Sequence, residues 1–166
     1  GKNLLTGKDR DNFINIMNAK ANDVILSSSL SILSEYLSKA YNDKRCVILI
    51  DEYDCPINEG YLRGYYDDVV GFMKILFGKA FKGTTSLNKA VLTGILRIAK
   101  EGIFSGANNF SSYSFTNNRF SSSFGLLEEE VKDILEYYEI GSEDSGIKEW
   151  YNGYRSGENT SVYNPW

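Results

Sequence analysis

Apolar residues return along the chain with a helical period in most places and with none in one short stretch. Residues 9–19 (DRDNFINIMNA) set Phe13, Ile14, Ile16 and Met17 at roughly helical spacing behind acidic first-turn positions, which predicts a short helix. Across 27–41, Leu30, Leu33, Leu37 and Tyr41 fall at i, i+3, i+7 and i+11 behind Ser27, Ser28 and Ser29, which can cap, so an amphipathic helix is expected. Asn42-Asp43 reads as a turn. Cys46–Ile50 (CVILI) then runs apolar without alternation, the pattern of a strand buried on both faces of a parallel sheet. Asp51-Glu52-Tyr53-Asp54 follows at once, so acidic side chains stand at the carboxyl end of that strand, where open α/β sheets bind ligands.

Between 65 and 81 the period returns with Val69, Phe72, Met73, Leu76, Phe77 and Ala80, and Gly83 is a plausible stop. Asn88-Lys89 leads into Ala90-Val91-Leu92, a second buried strand that ends at Thr93-Gly94. Strand, helix and strand in this order predict a βαβ unit. Beyond Arg97 the pattern is broken by Gly102, Gly106 and Asn108-Asn109 as far as a short strand expected at Tyr113-Ser114-Phe115. Six serines make 111–123 a loop by composition. A helix over 126–138 follows from Leu127, Val131, Ile134, Leu135 and Tyr138, with Glu128, Glu129 and Glu130 at the end where the helix dipole favours negative charge. A last helix is expected over 142–151, ending at Gly153.

The chain of 166 residues holds 18 basic and 22 acidic side chains, for a net charge of −4. That balance lacks the phosphate attraction of a strongly basic domain, so nucleic acid is not an expected partner of this segment. With 42% hydrophobic residues, 12 Tyr and 9 Phe it has the apolar mass to bury a core, and one domain over 1–166 is expected. The absence of histidine excludes a Ser-His-Asp triad, a Cys-His pair, His-ligated zinc and His-ligated haem. Cys46 and Cys55 are too few for a disulfide framework, which points to a reducing compartment. No apolar run approaches bilayer-spanning length, so a cytoplasmic protein without a membrane partner is expected. A start at Gly1 and a stop at Trp166, just after Asn164-Pro165, suggest a fragment.

The sharpest chemical signal is the apolar run 47–50 followed by Asp51-Glu52. A nucleoside triphosphatase needs a buried strand ending so: the first carboxylate holds Mg²⁺ through its water shell and the second polarises the attacking water, the Walker B pattern. Acidic residues at strand ends also serve as solvated turn formers, so the motif leaves both readings open. Thr93, at the end of the next strand, is placed to orient water against a γ-phosphate or simply to begin a turn. Arg97 is a candidate stabiliser of phosphoryl charge or a surface arginine. A phosphate-cradling loop is missing: residues 1–8 (GKNLLTGK) put five residues between the glycines, follow the lysine with Asp9, and have no strand before them. The acidic groups at Asp67-Asp68 and Glu128–Glu130 read as helix N-termini, and Tyr137, Tyr138, Trp150, Tyr151 and Tyr154 as core.

In CVILIDEYDCPI the sequence resembles the AAA-ATPase-like domain family of mostly prokaryotic proteins. The likeness continues through KAVLTGILRIAKEGIFSGANNF, FGLLEEEVKDIL and IKEWYNGYRSG to VYNPW. It implies an α/β fold, a P-loop NTPase-like parallel sheet flanked by helices and incomplete at both ends. It also implies ATP and Mg²⁺ as cofactors of the full-length parent, with Asp51 the metal-side carboxylate, Glu52 the catalytic carboxylate and Thr93 in the sensor position. The family's glycine-lysine-serine loop matches no position here, and its nuclease-like domain of the PD-(D/E)XK type, often found beyond the NPW region, is a possible neighbour in the parent chain. The expectation is an ATP-binding, ATP-hydrolysing domain of a larger protein, inactive as this stretch alone. A non-catalytic interaction module on a degenerate NTPase fold is the alternative. A nuclease centre of Asp51, Glu52 and Asp54 is a third reading, weakened because Lys89 begins the next strand, on the wrong side if the strands are parallel.

Overall fold

The computed structural model describes residues 5–95, 102–104, 110–140 and 144–165. They fall into two compact units, Gly1–Phe110 and Ser111–Trp166. The first unit begins with α1 (Gly7–Met17), α2 (Asp23–Leu26) and α3 (Ser29–Ala40). The helix expected over 27–41 is thus shorter than its apolar pattern. Ser27 and Ser28 donate their hydroxyls back to Val24 O, at 3.1 and 2.8 Å, closing α2 instead of capping α3. The side-chain cap belongs to Asn22, whose Oδ1 accepts from Ile25 N–H at 3.0 Å.

β1 (Cys46–Ile50) matches its predicted bounds, and β2 (Leu87–Leu92) pairs with it in parallel, Ile48 opposite Ala90 and Ile50 opposite Leu92. The chain crosses between them through α4 (Cys55–Arg63) and α5 (Tyr66–Phe81). The βαβ unit is therefore present, with an extra helix that the apolar period did not predict. Its punctuation is legible in retrospect: Pro56 sits in the first turn, and Gly64 ends α4 in the left-handed conformation at φ +80°. Ile57, Met73, Phe77 and Ile103 form the buried core, with Ile50, Leu92 and Phe104 packed against it. Phe77 stacks on both Phe81 and Phe104, ring centroids 5.4 and 5.8 Å apart.

One expectation for β1 fails. Its two faces are unequal: Ile48 and Ile50 turn toward the core, whereas Val47 and Leu49 are 53% and 73% exposed. The register sets these two beside Lys89 and exposed Val91 on the opposite face, which is open among the described residues. An unbroken apolar strand is compatible with burial on both sides but does not supply the covering layer.

The second unit holds a 3-10 turn (Ser121–Ser123), α6 (Glu128–Tyr137), α7 (Asp144–Tyr151) and a hairpin of β3 (Tyr154–Ser156) and β4 (Thr160–Val162). The strand expected at 113–115 is a turn instead. Ser114 N–H donates to Asn117 Oδ1 at 2.6 Å and Asn117 N–H to Ser114 O at 2.9 Å, local bonds that displace a ladder. Leu126 bridges Tyr163, and Val131, Val162 and Tyr163 are the buried apolar residues here. Tyr137, Tyr138, Trp150, Tyr151 and Tyr154, expected in the core, are exposed. A unit of this size has little interior, and Val131, Val162 and Tyr163 are the apolar residues buried in it. Among the described residues no helix is long and apolar enough to cross a membrane.

Candidate functional site

The parallel ladder continues past both strand ends. Thr93 N–H donates to Ile50 O at 2.9 Å, and Tyr53 N–H donates to Thr93 O at 3.0 Å. These two bonds clamp the turn after β1 to the end of β2, so Asp51 and Thr93 stand side by side at the carboxyl edge of the sheet. The Thr93 hydroxyl donates to Asp51 Oδ1, which also accepts Glu52 N–H at 2.9 Å. Among the described residues no hydrogen bond reaches Asp51 Oδ2. Glu52 adopts φ +51°, the left-handed region that costs a non-glycine residue about 1–2 kcal/mol, and its carboxylate is exposed.

Asp54 does different work from its acidic neighbours. It is 3% exposed, and its Oδ2 accepts Ile95 N–H at 3.1 Å, tying the start of α4 to the turn after β2. Its carbonyl accepts Ile57 N–H and Asn58 N–H, the first bonds of α4. Gly94 makes this closeness possible: a Cβ there would stand 2.5 Å from Asp54 Oδ1 and 2.9 Å from the Tyr53 ring. From sequence alone Gly94 is only a turn residue, because the clash it avoids comes from across the sheet.

A groove of about 560 Å³ opens beside this edge, lined by Ile50, Asp51, Glu52, Pro56, Phe72 and Met73 among others. Asp23 and Asp68 also border it, so its polar rim is acidic and its wall apolar. The structure brings together three of the four singled-out residues, Asp51, Glu52 and Thr93; Arg97 lies outside the described residues. Lys89 pairs with Val47, four residues ahead of Thr93 on a parallel strand, and so is remote from Asp51 in register. No group of three or more metal-ligating side chains gathers among the described residues. With Asp54 bonded to the Ile95 amide, the three-carboxylate nuclease centre is not assembled. Cys46 and Cys55 are free thiols.

A mixed α/β unit with paired carboxylates at the carboxyl end of a parallel strand pair defines an ATPase-like domain once sequence comparison is added. A family described as "Predicted AAA-ATPase" matches residues 5–104, more than half of the chain. The chain belongs to this AAA-ATPase-like family. It is also 31% identical over 128 residues, 76% of its length, to an "Uncharacterized protein in vnfD 5'region" of Azotobacter chroococcum mcd 1. It spans about a quarter of that relative, 24%. No solved structure matches it.

Proposed function

We propose that this chain is the Walker B and sensor portion of an Mg²⁺-dependent ATPase domain of a larger cytoplasmic protein, on a P-loop NTPase-like sheet. The observation that supports it best is the bond from Thr93 to Asp51 across two parallel strand ends, Asp51 also lining the groove. The donor set fits the metal. Mg²⁺ prefers oxygen, keeps most of its waters and is held by one or two carboxylates together with substrate phosphates, so a lone Asp51 with its Oδ2 open is sufficient. When bound, Mg²⁺ would neutralise charge on the β- and γ-phosphates.

The residues of the chain divide the remaining tasks. Asp51 holds its carboxylate in one orientation through two hydrogen bonds to Oδ1. Thr93 spends its proton on Asp51 and keeps acceptor lone pairs, with which it orients a water. Glu52, exposed beside them, takes a proton from that water. Arg97 stabilises phosphoryl charge in this reading. No position of this sequence matches a glycine-lysine-serine loop, so in this reading the phosphate cradle comes from other parts of the full-length protein, with a nuclease-like domain as a candidate neighbour.

Calorimetry of Mg²⁺-ATP on the full-length protein and on the 166-residue chain tests the proposal. Binding by the former, together with turnover lost and binding retained in Glu52→Gln, is the expected result. Undiminished turnover in Glu52→Gln removes the role of Glu52. No nucleotide affinity in either form favours the second reading, a non-catalytic interaction module, which the exposed aromatic residues of α6 and α7 support.

A further inference from the structure

We propose that Asp54 is a positioning residue for turnover: by gripping the Ile95 amide it holds Thr93 against Asp51. The inference rests on the ATPase reading of Asp51, Glu52 and Thr93 and adds a residue outside that set. Hydrogen bonds stitch 50–54 to 93–95 in order along the two strand ends. Thr93 N–H donates to Ile50 O at 2.9 Å, the Thr93 hydroxyl to Asp51 Oδ1, Tyr53 N–H to Thr93 O at 3.0 Å, and Ile95 N–H to Asp54 Oδ2 at 3.1 Å. The bond to Asp54 is the last of this series and lies beyond Thr93 in the chain.

The residues between give that bond its weight. Gly94 has no side chain and Ile95 is 94% exposed, so burial of a side chain anchors neither. Gly94 must lack a Cβ for Asp54 to come close, and a glycine leaves the backbone after Thr93 free to rotate unless the next amide is held. Asp54 holds it. The carboxylate does so in place of its local task. Asp54 is the N-cap residue of α4, yet its side chain makes no capping hydrogen bond, and the amides of Ile57 and Asn58 donate to its backbone carbonyl instead. A carboxyl group 3% exposed is costly to bury, and this one serves the turn after β2 and not its own helix. With Ile95 released, Thr93 loses its fixed backbone on one side, and a displacement of about 1 Å at such a group costs on the order of a hundredfold in rate.

The test is steady-state kinetics with Mg²⁺-ATP on the full-length protein, comparing Asp54→Ala, Thr93→Val and the double variant. Asp54→Ala should lower kcat on the order of a hundredfold, leave KM within about twofold, and lower kcat no further in the Thr93→Val background. Asp54→Asn keeps an acceptor oxygen and should lose less; it takes the place of Asp54→Ala in the same cycle if the alanine variant does not fold. Losses that multiply in the double variant overturn the proposal, as does a loss confined to KM. Amide hydrogen exchange supplies a readout that needs no turnover: the Asp54 variants should speed exchange at Tyr53 and Thr93 by about tenfold or more while α5 keeps its protection. Equal acceleration throughout means a general loss of stability, and unchanged exchange at Thr93 means that Asp54 does not hold it; either result overturns the proposal. Wild-type protein without turnover fails the ATPase reading and with it the kinetic half of the proposal, and exchange then decides the hold on Thr93.

Discussion

Glu52 and Asp54 are two carboxylates two positions apart, and their backbones and surroundings give them opposite tasks. Glu52 is exposed at φ +51°, a conformation glycine adopts freely. Glu52→Gly should therefore raise unfolding free energy by about 0.5–1 kcal/mol in urea titration while removing ATP turnover, the pattern of strain kept for function. A loss of stability would show that the Glu52 side chain contributes contacts worth more than the strain. Asp54, almost fully buried and bonded to Ile95 N–H, is structural. Gly94→Ala should cost about 1–3 kcal/mol, since its Cβ would force Asp54 and Tyr53 off the turn after β2. The meeting of Asp51 and Thr93 was legible, because each directly follows an apolar run of strand length and the two strands pair in parallel. The role of Asp54 was not, since its partner lies 41 positions away.

At the level of elements, β1 separates pattern from environment. Ile50 packs on the core and Leu49 points away from it, so Ile50→Thr should cost about 1–3 kcal/mol and Leu49→Thr less than about 0.5 kcal/mol in the same denaturant measurement. Equal losses would mean that both faces are covered. The link between α6 and α7 offers a pH signature. The ammonium of Lys148 donates to Glu128 and, with its positive charge, lowers that carboxyl below its ordinary value. A lowered folded value makes the contribution complete above the ordinary carboxylate range, and it disappears as pH falls through the lowered value. The pair is exposed, so its effect on stability is small. The check is an NMR titration of Glu128, in which Lys148→Met should return the midpoint upward. α4 escaped the periodicity because its nine residues bury only Ile57 and Gly60. Its Pro56 and Gly64 were the readable signal.

Across the whole molecule, stability in the first unit centres on stacked rings. Phe77 is 2% exposed and touches Phe81 and Phe104, so Phe77→Ala should cost about 3–5 kcal/mol by thermal or urea unfolding. The family match over residues 5–104 falls within this unit, which also carries Asp51, Glu52 and Thr93. The second unit has a different economy: few buried apolar residues, a charged helix and exposed aromatics, a composition suited to recognition more than to enclosure.

The sequence by itself determined the local elements whose signals are local: the bounds of β1, the helices α1, α5 and α6 from their 3.6-residue period, and the Asp-Glu pair that must follow the strand. Its motifs also carried the family. Tertiary structure alone decided which face of β1 is covered, that Gly94 must lack a side chain, that Asp54 holds a loop while Asp51 turns to Thr93, and that the aromatics of α6 and α7 remain outside. The physical reason is one of range. Period and capping depend on neighbours within a turn of helix, whereas burial and hydrogen-bond partnership depend on residues tens of positions apart that meet only once the chain has crossed over.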